Sequence, residues 1–198
     1  MLLESIRVEN GTAPLLALHQ RRMDRARRVH FPKSPVIRLQ AALSKLDLPA
    51  TGLYKLRIEY AARILLTELL PYRVRPIESL QLVDIEGFNY THKYSDRARI
   101  HAATELAGAA DDALMTQNGY LMDTSYANVA LYDGRHWYTP AYPLLKGVRR
   151  EKLLAENRIR PAIIRDRDLH NFECIRLMNA MLPWDQMPVL PVSQIRQQ

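Results

Sequence analysis

The chain of 198 residues has a single cysteine, Cys174, so it cannot close an internal disulfide. That usage fits a reducing compartment and sets the expectation of a cytoplasmic protein. No run of 18 apolar residues occurs, which excludes a membrane-spanning helix of ordinary length. The opening "MLLESIRVEN" has neither a basic leader nor a long apolar stretch, so no secretory signal is visible. No CxxC, HExxH, GxGxxG or GxSxG occurs, which leaves zinc, dinucleotide and nucleophile-elbow chemistry without support. The six histidines are scattered without metal-ligand spacing, so no metal is expected. Cys174 lies in "HNFECIRLMNAM", which reads as a buried element, and a core thiol is the simpler reading than a nucleophile.

What is present is ordinary globular material, 47% hydrophobic and 25% charged, with a net charge of +7. A basic balance suits either a nucleic acid or a small anionic substrate. Much of the excess falls in "HQRRMDRARRVH", residues 19–30. On a helix, Arg21, Arg25 and Arg28 share one face, the face expected to be solvated. Arg22 turns to another side with Ala26 and Val29, and a buried arginine needs an anion.

The segment 3–9 alternates and precedes Asn10-Gly11, which predicts a β-hairpin feeding a helix. Ser34-Pro35 starts a predicted helix over 34–48. Strands are predicted at 53–60, 63–72 and 78–85, and a helix at 94–110. Asn118-Gly119 and Asp133-Gly134 mark two hairpins in the following strand series. Gly147 opens a helix over 148–157, and the remainder mixes a short strand, a helix and a final strand. The expectation is an α+β chain of two small domains, an N-terminal α+β domain over 1–85 and a strand-rich one over 86–198.

Three residues remain as candidates for chemistry. Lys93 sits between two rings, His92 and Tyr94. Asp123 follows a hairpin, and Gly147 stands at a helix start. Each alone has an ordinary reading, as a solvated lysine, a capping aspartate and a conformational glycine. Their order changes the weighing. "ESIRVENG…LHQRRMDRARR", "YTHKYSDR", "LMDTSYANVALYDGRHWYTP" and "PLLKGVRREKLL" together resemble the class IV aminotransferase family of pyridoxal 5′-phosphate (PLP) enzymes. The resemblance runs over nearly the whole chain. It is nearest to short bacterial members of the kind assigned as 4-amino-4-deoxychorismate lyases or left as aminotransferase-like.

The resemblance implies the D-amino-acid-aminotransferase-like fold, a homodimer, and a PLP site at the interface of the two domains. It implies that Lys93, before "YSDR", carries the cofactor. Arg22 of "HQRRM" is then the phosphate-binding arginine. Asp123 of "DTSYAN", followed by Ser125, Tyr126 and Asn128, is the partner of the pyridine nitrogen, one methylene shorter than the family's glutamate. Gly147, Val148 and Arg149 of "GVRR" form the phosphate turn, with Arg149 where the family has threonine. Asn179 joins the cofactor-binding set. Ser5 aligns with a hydroxyl residue that assists proton transfer in the lyases.

The chemistry agrees with these roles. A helix N-terminus and a bidentate arginine suit a phosphate dianion. An acid facing the pyridine nitrogen keeps it protonated, and a lysine acts as base once its ammonium is depressed, for which His92 and Arg97 are near in sequence. The implied reaction is elimination of pyruvate from 4-amino-4-deoxychorismate to give 4-aminobenzoate. The alternatives are transamination of branched-chain or D-amino acids, and a non-catalytic relative or a basic nucleic-acid-binding module. No membrane and no nucleic acid are expected as partners.

Overall fold

The alternating segment Leu2–Glu9 forms strand β1 in a computed structural model that describes residues 1–197. Asn10 and Gly11 both take left-handed backbone (φ 48° and 74°), and Glu9 and Thr12 exchange two hydrogen bonds of 2.9 Å across them. The tight turn is therefore real, but the expected hairpin is not. Pro14 has no N–H to continue a ladder, and the chain enters helix α1 (Leu16–His30) instead. The strand partner of β1 is β2 (Leu53–Tyr60), which pairs in turn with β3 (Ile64–Pro71), all antiparallel. Between α1 and β2 lies only a short helix, α2 (Leu39–Leu43), where a helix over 34–48 was expected. Val36 is 64% exposed, so an earlier turn would bury little, and Leu39 N is capped instead by Gln20 Oε1 at 2.7 Å.

This first unit comprises Met1–Val74 together with His92–Asp96. Its core joins Leu2, Ile6 and Val8 of β1 to Leu56, Ile58 and Tyr60 of β2 and Met23 and Ala26 of α1. The returning segment lies against the free edge of β1, where Leu2 bridges Tyr94, Leu3 N donates to Lys93 O (2.8 Å) and Ser95 N to Met1 O (3.1 Å).

The second unit comprises Arg75–Thr91 and Arg97–Gln198. The chain thus divides after Val74, earlier than the expected boundary at 85, because β4 (Leu80–Asp84) pairs in parallel with β5 (Asp112–Gln117). Helix α3 (Ala98–Leu106) is shorter than the expected 94–110: its first residues are taken by the pairing with β1, and Gly108 turns left-handed (φ 59°). Asn118-Gly119 joins β5 to β6 (Tyr120–Thr124), and the Asp133 loop joins β7 (Asn128–Tyr132) to β8 (Trp137–Pro140), as both hairpin signals imply. Helix α4 (Val148–Ala155) leads to β9 (Arg160–Ala162), a 3-10 turn at Asp166–Asn171, β10 (Cys174–Met178), β11 (Val189–Pro191) and β12 (Ile195–Arg196). The strands form one sheet in the order β12-β4-β5-β6 and another in the order β11-β10-β7-β8-β9. Leu80, Leu114, Val129, Leu131, Ile175 and Leu177 share their core. Cys174 is half-buried at the start of β10, and burial raises its thiol pKa, which keeps it protonated. The architecture is α+β, dominated by sheet.

Candidate functional site

In the first unit, the geometry around Lys93 explains its aromatic neighbours. The His92 ring lies 4.7 Å from that of His30, at the end of α1, and the Tyr94 ring lies 5.9 Å from it. Tyr94 also packs on the core. Both rings thus face the helix. Lys93 lies between them in a tight turn, closed by Tyr94 N donating to His92 O at 3.0 Å, and its carbonyl accepts from Leu3 N at 2.8 Å. Lys93 and Ser5 are both half-buried. The His92 ring is engaged with that of His30. Arg97 belongs to the second unit and donates to Ser125 O at 2.6 Å.

Arg21, Arg25 and Arg28 are exposed, as the helical spacing implies. The other side of α1 differs from expectation at two places: Val29 is 65% exposed, and Arg27 is buried, with Nη2 donating to Pro35 O (2.6 Å) and Ala62 O (3.0 Å). The arginines are thus split between solvent and interior and form no single basic stripe. Arg22 does face inward, and its anion comes from the chain itself. Its Nε donates to Glu4 Oε1 at 2.9 Å and its Nη2 to Oε2, while His19 Nδ1 lies 2.6 Å from Oε2. Glu4 and His19 are fully buried. Burial raises the Glu4 pKa, but Arg22 and His19 outweigh it and bring the carboxyl down to about 2. Burial depresses the His19 pKa, so its ring is neutral, and with Nδ1–H given to Glu4 its Nε2 is a buried acceptor with no hydrogen-bond partner. Lys93 is near enough to act on His19 electrostatically.

Sequence reasoning passed over Glu4 and His19. The signal was available: Glu4 falls in phase with Leu2, Ile6 and Val8 on the apolar face of β1, and a carboxylate there requires a cation.

In the second unit, Asp123 lies in the buried part of β6. Its Oδ1 accepts from Asn128 Nδ2 (2.7 Å) and its Oδ2 from Leu145 N (2.9 Å). Asn128, at the start of β7, also donates to Leu145 O at 2.7 Å. Burial pushes the Asp123 carboxyl up to about 7, against these donors and the charge of Arg150. Thr124 and Ala127 close the loop between, which holds Ser125 and Tyr126 half-buried beside them.

Gly147 caps α4 with φ −70°, a conformation open to any residue, so its role is not conformational. A Cβ there would stand 2.1 Å from Asn128 Oδ1, and the glycine is required for space. Val148, Arg149 and Arg150 are buried in the first turn of α4, and Arg150 donates to Thr139 Oγ1 (3.2 Å) and Pro140 O (2.8 Å), fixing the helix to β8. The backbone N–H groups of that turn suit an anion. Asn179 lies just past β10, where its Oδ1 accepts from Met181 N at 2.9 Å. Each unit thus gathers its own set: Ser5, Arg22 and Lys93 in the first, and Asp123, Ser125, Tyr126, Asn128, Gly147, Val148, Arg149 and Asn179 in the second.

Among the described residues no helix is long and apolar enough to cross a membrane. Residues 1–195 match the amino-transferase class IV family. An uncharacterized Haemophilus influenzae protein is 35% identical over 183 residues, covering 91% of this chain and 97% of the relative. A crystal structure from Haemophilus somnus, provisionally assigned as a 4-amino-4-deoxychorismate lyase, superposes with a TM-score of 0.83 at 29% identity over 91% of this chain and 95% of that one. A hypothetical aminotransferase from Mycobacterium tuberculosis in its PLP-bound form superposes at 0.72 over 100% of this chain and 83% of that one, with 18% identity, and so shares the fold.

Proposed function

The chain belongs to the class IV aminotransferase family, and from that premise we propose that it is a PLP-dependent lyase that converts 4-amino-4-deoxychorismate to 4-aminobenzoate and pyruvate. The observation that supports the reading is the placement of Lys93 at the free edge of β1, where its carbonyl accepts from Leu3 N at 2.8 Å, two residues along the strand from Ser5. An elimination needs a base and an acid, and Lys93 and Ser5 are the candidates for them. The similarity to the Haemophilus somnus protein supports the same choice.

The residues fit the cofactor. Asp123 is a buried carboxyl whose partners are an amide and a backbone N–H, so it can receive the proton-bearing nitrogen of a pyridine ring. Arg22 in the first unit and the first turn of α4 in the second each offer donors suited to a phosphate. Arg22 meets Glu4 through its Nε and Nη2. When bound, PLP supplies the electron sink for the charge left by removal of a proton from carbon. The Lys93 amine takes the proton from the ring carbon that bears the substrate's amino group. The bond from the ring to the enolpyruvyl oxygen breaks, and the electron pair leaves with that oxygen. The departing enolpyruvate takes up a proton at its methylene carbon from Ser5 or from the Lys93 ammonium and becomes pyruvate, while the ring becomes aromatic. No second substrate is needed, and the proton balance closes.

The test is product analysis with purified protein and PLP. The reading expects 4-aminobenzoate and pyruvate in equal amounts without any 2-oxo acid, and a rate loss of roughly 10²–10⁴-fold in Ser5→Ala if its hydroxyl is the general acid. Amino transfer from leucine, glutamate or D-alanine to a 2-oxo acid, with no 4-aminobenzoate, would replace the lyase by the family's transaminase chemistry.

A further inference from the structure

The resemblance counts Asn128 among the cofactor contacts, but its side chain is engaged within the protein. We infer that Asn128 and Gly147 form a clamp that presents the Asp123 carboxyl and the phosphate turn as one rigid piece, with Asn128 a positioning residue rather than a ligand of the cofactor. The inference rests on the reading of Asp123 as partner of a pyridine nitrogen.

The observations behind it are geometric. Two hydrogen bonds of the Asn128 side chain run through Nδ2, one to Asp123 Oδ1 and one to Leu145 O, each 2.7 Å. Leu145 N returns a bond to Asp123 Oδ2 at 2.9 Å, which closes a ring of carboxylate, amide and backbone. The other end of the amide, Oδ1, seats over Gly147, where a Cβ would come within 2.1 Å. Gly147 is followed directly by α4, whose Glu151 N bonds back to Gly147 O at 2.9 Å. Three elements, the end of β6, the start of β7 and, about twenty residues on, the entry to α4, thus meet at one amide. The amide also sets the acid's chemistry. A donor at 2.7 Å favours the charged carboxylate, against the burial that pushes it up to about 7. Arg150 also bears on Asp123 by its charge, and its guanidinium is held by Thr139 Oγ1 and Pro140 O.

The clamp makes a specific claim about Gly147. A methyl there is harmful through Asn128, because moving Oδ1 breaks both Nδ2 bonds; it is not harmful through the backbone, since φ −70° suits alanine. The experiment uses the full chain, free of cofactor, with ¹³C-labelled aspartate. It follows the Asp123 carboxyl by NMR against pH in wild type, Asn128→Ala, Gly147→Ala and the double variant, and measures PLP affinity for each. Asn128→Ala and Gly147→Ala should each raise the Asp123 titration by about 0.5–1 pH unit, the loss of one donor to a buried carboxylate. Each should weaken PLP by roughly tenfold, and the double variant should be no worse than the worse single one. Additive losses, or a Gly147→Ala variant that weakens PLP with the Asp123 titration unmoved, would overturn the clamp. Should Gly147→Ala alone fail to fold, recovery of folding in the double variant supports the clamp, and failure of both counts against it. The titration is read without cofactor. A wild-type chain that never takes up PLP therefore defeats the functional reading separately from the clamp.

Discussion

Two buried carboxylates, one in each unit, have been driven in opposite directions. Glu4 is brought down to about 2, and Asp123 is pushed up to about 7. Both are nearly inaccessible, at 0% and 5% exposure, so burial alone would raise both. The difference lies in the partners. Glu4 meets the guanidinium of Arg22 and the Nδ1–H of His19. Asp123 meets only neutral donors, Asn128 and Leu145 N. A carboxylate with a cation in contact keeps its charge at every ordinary pH and serves structure. A carboxylate with amide donors alone is poised near neutrality, where a proton-bearing ring nitrogen can settle its charge. The first unit uses Glu4 to hold an arginine, and on the proposed reading the second keeps Asp123 for a pyridine nitrogen.

The largest expected effect separates the units by their lysines. Borohydride reduction of the PLP-treated protein should fix the cofactor to the peptide that contains Lys93, and Lys93→Ala should abolish the label altogether. Label on Lys146, next to Gly147 in the second unit, or on Lys55 would remove Lys93 from its proposed role. The next effect concerns Glu4. Glu4→Gln leaves the inward-facing Arg22 without a counter-charge and should cost about 3–5 kcal/mol of folding stability, measured by urea unfolding. A loss under about 1 kcal/mol would mean that the pair is incidental.

The pH dependence carries the contrast further, read as differences between wild type and a variant so that other titrating groups cancel. The depressed Glu4 contributes stability that is present above its unfolded value of 4.5 and is lost as pH falls toward about 2. The raised Asp123 has the opposite sign. Its folded form keeps a proton that the unfolded chain has lost, so stability relative to Asp123→Asn should fall by about 2–4 kcal/mol as pH rises from 3.8 through about 7, in protein free of cofactor. A flat Asp123 difference curve over that window would place its carboxyl at an ordinary pKa.

Much of this was legible in the sequence, and the exceptions have physical causes. Hairpins at Asn118-Gly119 and Asp133-Gly134 follow from local turn chemistry. The same chemistry at Asn10-Gly11 produced the turn but not the second strand, because Pro14 stops the ladder. The pairing of Tyr94 with Leu2 joins residues far apart in the chain, and no local pattern reveals it; propensity alone therefore extended α3 back to residue 94. Arg22 faces inward, as its helical position implies, but the anion it needs is Glu4 of the same chain, a residue of the buried face of β1. Gly147 was read for its conformation, whereas its reason is the amide of Asn128 seated on it. Contacts of that kind are invisible until the fold brings β7 against the entry to α4.

The smallest effects test whether the basic charge of α1 is a surface property or a site. Arg22 and its neighbours Arg21 and Arg25 carry the same group on one helix, and only their orientation differs. The Arg22 side chain is 12% exposed and holds Glu4, so Arg22→Ala should weaken PLP binding by about 2–4 kcal/mol if this arginine also meets the phosphate. Arg21 and Arg25 are exposed. Each shares its charge with water and salt, and at physiological ionic strength a charge farther than about 8 Å from the ligand is largely screened. Arg21→Ala and Arg25→Ala should therefore change PLP affinity by less than about 0.5 kcal/mol, with folding stability changed as little. Titration of cofactor into each variant at about 0.05 M and about 0.3 M salt makes the distinction quantitative. The Arg22 loss should persist at the higher salt, because a buried pair is poorly screened, whereas any loss at Arg21 or Arg25 should vanish. Equal losses at all three positions, all abolished by salt, would show that α1 attracts anions as a diffuse surface and that Arg22 serves only to hold Glu4.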